Sequence, residues 1–134
     1  LDCVVAEKAA TDTEIKVCKI SEIPNNWIGL DIGPQTISSF ADALKDVKTV
    51  IWNGPMGMFE LEPFSRGTFS IAASVAASGA LSIIGGGDTG LAVERAGVSE
   101  KISYISTGGG AFLELLEGKT MPAIEALEKN GGNT

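Results

Sequence analysis

The sequence contains no histidine among its 134 residues. A Ser-His-Asp triad, a Cys-His nucleophile pair and a histidine metal site therefore cannot be assembled from this chain alone. The chain has only two cysteines, Cys3 and Cys18, which are too few for a disulfide framework or a zinc-ligand cluster. Both lie where apolar residues alternate, so we expect buried, reduced thiols.

Basic residues and long apolar runs are also scarce. Lys and Arg number 10 against 17 Asp and Glu, which gives a formal net charge of −7. A surface of that sign does not favour nucleic acid or an anionic membrane as a partner. The longest apolar runs fall far short of the roughly 20 residues that a membrane-spanning helix needs. Because the chain begins at Leu1 and enters an apolar strand almost at once, we expect that a preceding part of the protein is missing.

Glycine, by contrast, is abundant, with 17 residues of 134. Three glycine clusters each follow a short apolar segment predicted as a strand, over 49–52, 80–84 and 102–106. Amphipathic segments predict helices over 35–47, 63–78, 88–96, 111–117 and 122–128. Repeated strand, loop and helix units predict an α/β fold, a three-layer α/β/α Rossmann-like parallel sheet.

The segments before and between these units carry weaker signals. Val and Ile predict strands over 1–7 and 15–20, and the proline and glycine residues of 21–34 predict an irregular segment. The helical periodicity predicts buried faces on two of the helices, formed by Ile37, Phe40, Ala41 and Leu44 and by Phe69, Ala72, Ala73 and Ala76.

The glycine clusters predict an anion site. Loops that follow parallel strands share the carboxyl edge of a sheet, where open α/β sheets bind ligands. Glycine lets backbone amides approach a phosphate, and a helix N-terminus adds about half a positive charge. Tight turns between strand and helix are the alternative reason for the glycines. We favour the phosphate site because the clusters recur at one edge, at Gly54 and Gly57, at Gly85, Gly86, Gly87 and Gly90, and at Gly108, Gly109 and Gly110.

The second cluster satisfies G-x-G-x-x-G, but its details oppose a dinucleotide. Asp88 would place a carboxylate beside a pyrophosphate, and the next strand ends in Ser106 and Thr107 rather than in an acid for the ribose. A bridging Mg²⁺ removes the repulsion, because one carboxylate with phosphates and waters is a usual magnesium site. Asp88 therefore favours a magnesium nucleoside polyphosphate over NAD, and its alternative role is a helix N-cap.

The loop over 52–60 supplies further candidates. Pro55 and Met58 are suited to an apolar slot for a base, and Glu60 to ribose hydroxyls, with a solvated surface charge as the alternative for Glu60. None of the three glycine loops contains Lys or Arg, although a phosphotransferase needs cations at the moving phosphoryl group. If the chain belongs to such an enzyme, those cations come from another part of the polypeptide.

Four long motifs in this order resemble the C-terminal part of the phosphoglycerate kinase family: WIGLDIGP over 27–34, WNGPMGMFE over 52–60, GGGDT over 85–89 and STGGGAFLELLEGK over 106–119. The resemblance implies a two-domain cytoplasmic enzyme of glycolysis, a monomer when complete, which transfers a phosphoryl group between 1,3-bisphosphoglycerate and ADP to give 3-phosphoglycerate and ATP. Residues 1–134 would then be the C-terminal portion of the nucleotide-binding domain, with the N-terminal substrate domain absent.

The resemblance also implies roles for individual residues. Gly29 and Leu30 would lie by the adenine, with Asn53, Pro55 and Met58 continuing that pocket and the phosphate path, and Glu60 at the ribose. The phosphates of ATP or ADP would meet Gly85, Gly86, Gly87, Asp88 and Thr89, with Asp88 toward Mg²⁺. Gly109 and Gly110, together with Gly87, would serve the transferring phosphoryl group.

One departure from the family pattern is local, since Phe112 stands where many relatives have a smaller residue. A larger departure is the absence of the family's substrate-binding arginines and histidines and of its phosphoryl-neutralising lysines. We therefore expect no kinase turnover from these 134 residues alone, because the remainder of the polypeptide is a required partner. The alternative is a non-catalytic nucleotide-binding module that acts through another protein.

Overall fold

The computed structural model describes residues 1–119, Ala126 and Lys129. Its N-terminal part is an antiparallel sheet in which β1 (Asp2–Ala6) lies between β2 (Ile15–Lys19) and β3 (Ile28–Ile32). The prediction of an irregular segment over 21–34 is therefore wrong, because five of its residues form β3. Glycine and proline interrupt the strand pattern there, and the strand depends on its pairing with β1, which a local pattern does not reveal.

A second sheet is parallel and consists of β4 (Thr49–Asn53), β5 (Leu81–Gly85) and β6 (Tyr104–Ser106) in that order. Its carboxyl edge therefore carries all three glycine clusters, as predicted. The helices are α1 (Pro34–Leu44), α2 (Arg66–Ala77), α3 (Gly87–Arg95) and α4 (Gly109–Leu116). The predicted α/β fold is confirmed, while the helix predicted over 122–128 lies outside the described residues except for Ala126.

The main core lies between the parallel sheet and α2. Trp52 and Ile84 from neighbouring strands pack with Ile71 and Val75 of α2. Burial of one such side chain contributes about 1.5–3 kcal/mol. The predicted face of α2 is largely wrong, because of its four members only Ala72 is buried. The larger Ile71 and Val75 set the buried stripe instead, with Gly67 and Thr68 in the preceding turn.

The antiparallel sheet is joined to α1 through Asp2. Its carboxylate accepts hydrogen bonds from the amides of Gln35 (3.1 Å) and Thr36 (2.8 Å) and from the Thr36 hydroxyl (2.9 Å). Burial raises the pKa of Asp2, but these hydrogen bonds outweigh it and hold the pKa below its usual value. Thr36 is therefore the buried residue of α1, whereas Phe40 of the predicted apolar face is 37% exposed.

The two thiols are free and face each other across β1 and β2, as Cys3 and Cys18 are register partners. Cys3 is buried, as predicted, and Cys18 is half-buried. Burial, followed by the neighbouring Cys18 thiol, raises the pKa of the Cys3 thiol and keeps it protonated. Among the described residues no helix has both the length and the apolar composition needed to cross a membrane.

Candidate functional site

A cavity of about 550 Å³ opens between the antiparallel sheet and the loop that follows β4. Four residues predicted for the base site line it together: Gly29, Leu30, Pro55 and Met58. Ile20 and Ile23 add apolar walls that the sequence did not indicate. The volume falls in the usual range for small-molecule sites. Glu60 is exposed at the far end of the same loop and is not among the lining residues.

The loop over 54–58 is held by hydrogen bonds from its own backbone. The Met58 amide donates to the carbonyl of Leu30 (2.9 Å), which ties the loop to β3. The amides of Met56 and Gly57 both donate to the Thr68 hydroxyl oxygen in α2, at 3.1 and 3.2 Å. The lining of the cavity is therefore fixed from two sides.

A buried carboxylate stands behind this loop. Asp31 accepts hydrogen bonds from the amides of Gly67 (2.7 Å) and Ile32 (2.9 Å), and so joins β3 to the N-terminus of α2. Burial raises the pKa of Asp31, and the two amides offset only part of that effect. Its carboxylate fills the space beside Gly57 and Gly67, where an added Cβ would overlap it. Only its place within the 27–34 motif singled out Asp31 in the sequence.

The other part of the site is the meeting of the β5 and β6 loops. The Gly86 amide donates to the carbonyl of Ser106 (3.0 Å), and a Cβ on Gly109 would lie 3.0 Å from the Gly86 Cα. The Asn53 side chain at the end of β4 reaches the same place, with its Nδ2 2.8 Å from where a Cβ on Gly85 would be. The fold therefore brings together Asn53, Gly85, Gly86 and Gly109, four residues to which the family resemblance assigns contacts with phosphates.

Thr89 connects the two parts of the site. Its side chain is buried, and its hydroxyl oxygen accepts a hydrogen bond from the Gly54 amide at 2.8 Å. The hydroxyl oxygen is thus engaged within the protein, while the Thr89 backbone amide lies in the first turn of α3.

The remaining candidate residues, Asp88 and three glycines, lie at the N-termini of two helices. Gly87 and Asp88 are the first two residues of α3 and are exposed, and Gly109 and Gly110 are the first two residues of α4. The N-cap alternative for Asp88 is wrong, because Gly86 occupies the N-cap position. Within the described part of the chain, no three Asp, Glu, Cys or His side chains form a metal-binding group. A cation at Asp88 would therefore also need oxygen ligands from outside the protein, such as phosphates and waters.

Comparison with known proteins decides the family. The family model for phosphoglycerate kinase matches residues 1–119. The chain belongs to the phosphoglycerate kinase family. It is 60% identical over 131 residues to the phosphoglycerate kinases of Citrifermentans bemidjiense and Geobacter metallireducens, covering 98% of this chain and 33% of each relative.

Solved phosphoglycerate kinases share the fold. The structure from Coxiella burnetii superimposes with a TM-score of 0.88 at 44% identity, covering 94% of this chain and 33% of that one. The structure from Pyrococcus horikoshii gives 0.80 at 30% identity, covering 95% and 31%. The chain spans about a third of the length of the phosphoglycerate kinases that it matches.

Gly86 and Gly87 offer a matched test of the β5 loop. Gly86 has a φ of +93°, and an added Cβ would lie 3.3 Å from Asn53 Oδ1, whereas no atom lies within 4 Å of a Cβ added to Gly87. We expect Gly86→Ala to lower the free energy of unfolding by about 1–3 kcal/mol. Gly87→Ala should leave it unchanged or raise it slightly. Chemical denaturation of the two variants measures both, and equal stabilities would contradict the strained conformation at Gly86.

Proposed function

We propose that this chain is the nucleotide-carrying part of a phosphoglycerate kinase, the C-terminal portion of its nucleotide-binding domain. The complete protein would transfer a phosphoryl group reversibly from 1,3-bisphosphoglycerate to ADP, giving 3-phosphoglycerate and ATP. It would do so in glycolysis, as a cytoplasmic monomer. The observation that carries the proposal lies at the carboxyl edge of the parallel sheet. There the loop after β4, part of which lines the cavity beside β3, is hydrogen-bonded through the Gly54 amide to Thr89 after the β5 loop, and Gly86 of that loop is bonded to Ser106 at the end of β6.

The nucleotide would lie along this edge, with its base in the cavity and its phosphates at the glycine loops. The cavity lined by Gly29, Leu30, Pro55 and Met58 supplies apolar surface for the adenine. The path from there to the phosphates runs past Asn53, beside Gly85 and Gly86. Glu60 would reach the ribose hydroxyls from the exposed end of the loop, which places this contact outside the cavity itself.

The phosphates would end at the two helix N-termini. The first amides of α3, at Gly87, Asp88 and Thr89, and those of α4, at Gly109 and Gly110, have no partner within their own helices. These fixed donors suit a charge that spreads over phosphoryl oxygens during transfer. Because the loops are already packed against each other at Gly86 and Gly109, the donors need little reorganisation as the reaction proceeds.

The donor set fits magnesium that arrives with the nucleotide. Asp88 is an exposed carboxylate beside the predicted phosphates, and one carboxylate with phosphates and waters is how Mg²⁺ is usually held. Asp88 would contact the ion, which neutralises phosphate charge when bound. With the ion bound, the Asp88 carboxylate can lie beside the polyphosphate, because the ion offsets the repulsion between the two negative groups.

The remaining charges must come from elsewhere. No Lys or Arg lies in the loops over 53–60, 85–90 or 107–110. We assign the binding of 3-phosphoglycerate and the neutralisation of the moving phosphoryl group to the remainder of the polypeptide. This division explains how a chain of net charge −7 would belong to an enzyme with anionic substrates.

The test compares the complete protein with residues 1–134. We expect the complete protein to form ATP from MgADP and 1,3-bisphosphoglycerate, and the 134-residue piece to show no turnover. Turnover by the purified piece would contradict the division of charges. MgADP binding without turnover in the complete protein would instead favour a non-catalytic nucleotide-binding module.

A further inference from the structure

We propose that Thr68 is a positioning residue for nucleotide binding, which acts by fixing the loop over 54–58 through a single buried hydroxyl. The inference rests on the proposed nucleotide site. It assigns to α2, none of whose residues line the cavity, control over the shape of that cavity.

The hydrogen bonds of the loop backbone account for this role. Pro55 has no N–H, and the other four residues of the loop donate to acceptors in the protein. Gly54 donates to the Thr89 hydroxyl and Met58 to the Leu30 carbonyl, while two successive amides, those of Met56 and Gly57, depend on Thr68. Thr68 therefore holds the middle of the loop, between Pro55 and Met58.

The burial of Thr68 makes this arrangement hard to replace. Its side chain is fully buried, and both lone pairs of its oxygen are used, one for each amide. An apolar side chain of the same shape would leave two partly buried amide donors without partners. The loop would then move toward water, and Pro55 and Met58 would move with it.

Thr68 itself is fixed by its neighbours. The Gly67 amide donates to buried Asp31, which places the first turn of α2 against β3. The hydroxyl is therefore a fixed acceptor, against which the loop takes one conformation. Because an error of about 1 Å in a binding group can cost 100-fold in rate, a substitution outside the cavity is able to affect the site.

The experiment uses the complete protein and two changes at position 68, one that keeps the shape of the side chain and one that keeps its hydroxyl. Thr68→Val removes the acceptor, and Thr68→Ser keeps it. Ser82→Ala is the matched control, because Ser82 is also fully buried and accepts a hydrogen bond from the Ser103 amide (3.0 Å), but lies in β5, away from the loop. We would measure the KM for MgADP and kcat well below the unfolding temperature, and the Kd for MgADP by calorimetry.

We expect Thr68→Val to raise the KM and Kd for MgADP about tenfold, with a smaller change in kcat. Thr68→Ser should remain within about twofold of the unsubstituted protein, and Ser82→Ala should lower the unfolding temperature without changing the Kd. A Thr68→Val protein that is less stable but binds MgADP normally would overturn the proposal, as would equal Kd changes in Thr68→Val and Ser82→Ala. If Thr68→Val does not fold, Thr68→Ala is measured in its place, with the same expected changes in the KM and Kd for MgADP. If the unsubstituted protein binds MgADP without turnover, the catalytic proposal fails while the Kd values still test Thr68.

Discussion

Replacing Asp88 by alanine in the complete protein is expected to lower kcat/KM for MgADP by about 100- to 1,000-fold, the usual loss for one preorganised electrostatic contact. The carboxylate is exposed, second in α3, and stands beside the predicted phosphates. Without it, Mg²⁺ would lose the carboxylate that we propose as its ligand, so the magnesium concentration at half-maximal rate should rise as well. Steady-state kinetics over a magnesium titration measures both effects.

The control for this experiment is Glu100→Ala. Glu100 is an exposed carboxylate in the turn between α3 and β6, so its removal changes the net charge equally without touching the site. We expect ordinary kinetics from that variant. Normal turnover of Asp88→Ala at low magnesium would show that the Asp88 carboxylate has no part in the metal-dependent step.

Replacing Asp31 by alanine is expected to lower the free energy of unfolding by about 3 kcal/mol, because one buried and one partly buried amide donor lose their acceptor and a cavity remains. The donors are the amides of Gly67 and Ile32. Denaturant titration of the complete protein, followed by a probe in this domain, measures the change. Asp42→Ala is the control, since its pair with Lys45 is exposed and contributes little.

The pH dependence of this difference has a definite sign. The pKa of Asp31 is raised in the folded state by burial, so the folded protein binds a proton more readily than the unfolded chain does. The native protein has a larger free energy of unfolding than Asp31→Ala. This difference should therefore grow as the pH falls through the raised pKa toward the ordinary value of 3.8. A difference that shrinks over that range would contradict the raised pKa. The pKa of Asp2 is lowered in the folded state, so its effect has the opposite sign. Its contribution to the free energy of unfolding is lost as the pH falls through that lowered pKa.

The parallel half of the fold could be predicted from the sequence because its signals are local. Short apolar strands followed by glycine and then by helical periodicity specify each unit, and the observed elements begin and end within a few residues of the predicted ones. β3 could not be predicted in this way. Gly29 lies inside it and prolines lie on both sides, and its pairing with β1 involves residues about 25 positions apart in sequence.

The arrangement of the candidate site was predictable only in part. Glycine loops at one sheet edge indicated the phosphate path, and the family motifs added Gly29 and Leu30. The buried polar contacts of Asp31, Thr68 and Thr89 were not predictable, because a threonine that binds a distant loop has the same local pattern as one on a helix surface. Their importance depends on burial and on which amides lie opposite, which only the folded arrangement defines.

The carboxylate of Asp31 also limits how this segment can diverge. Gly57 and Gly67 are each without a side chain because the Asp31 carboxylate already fills the space beside them. A methyl group at either position would overlap the Asp31 carboxylate and also a second neighbour, the Leu30 carbonyl oxygen beside Gly57 or the Ile32 side chain beside Gly67. Asp31, Gly57 and Gly67 are thus sterically linked, and a side chain at either glycine requires a smaller residue at 31 together with a shift of the Leu30 backbone or the Ile32 side chain.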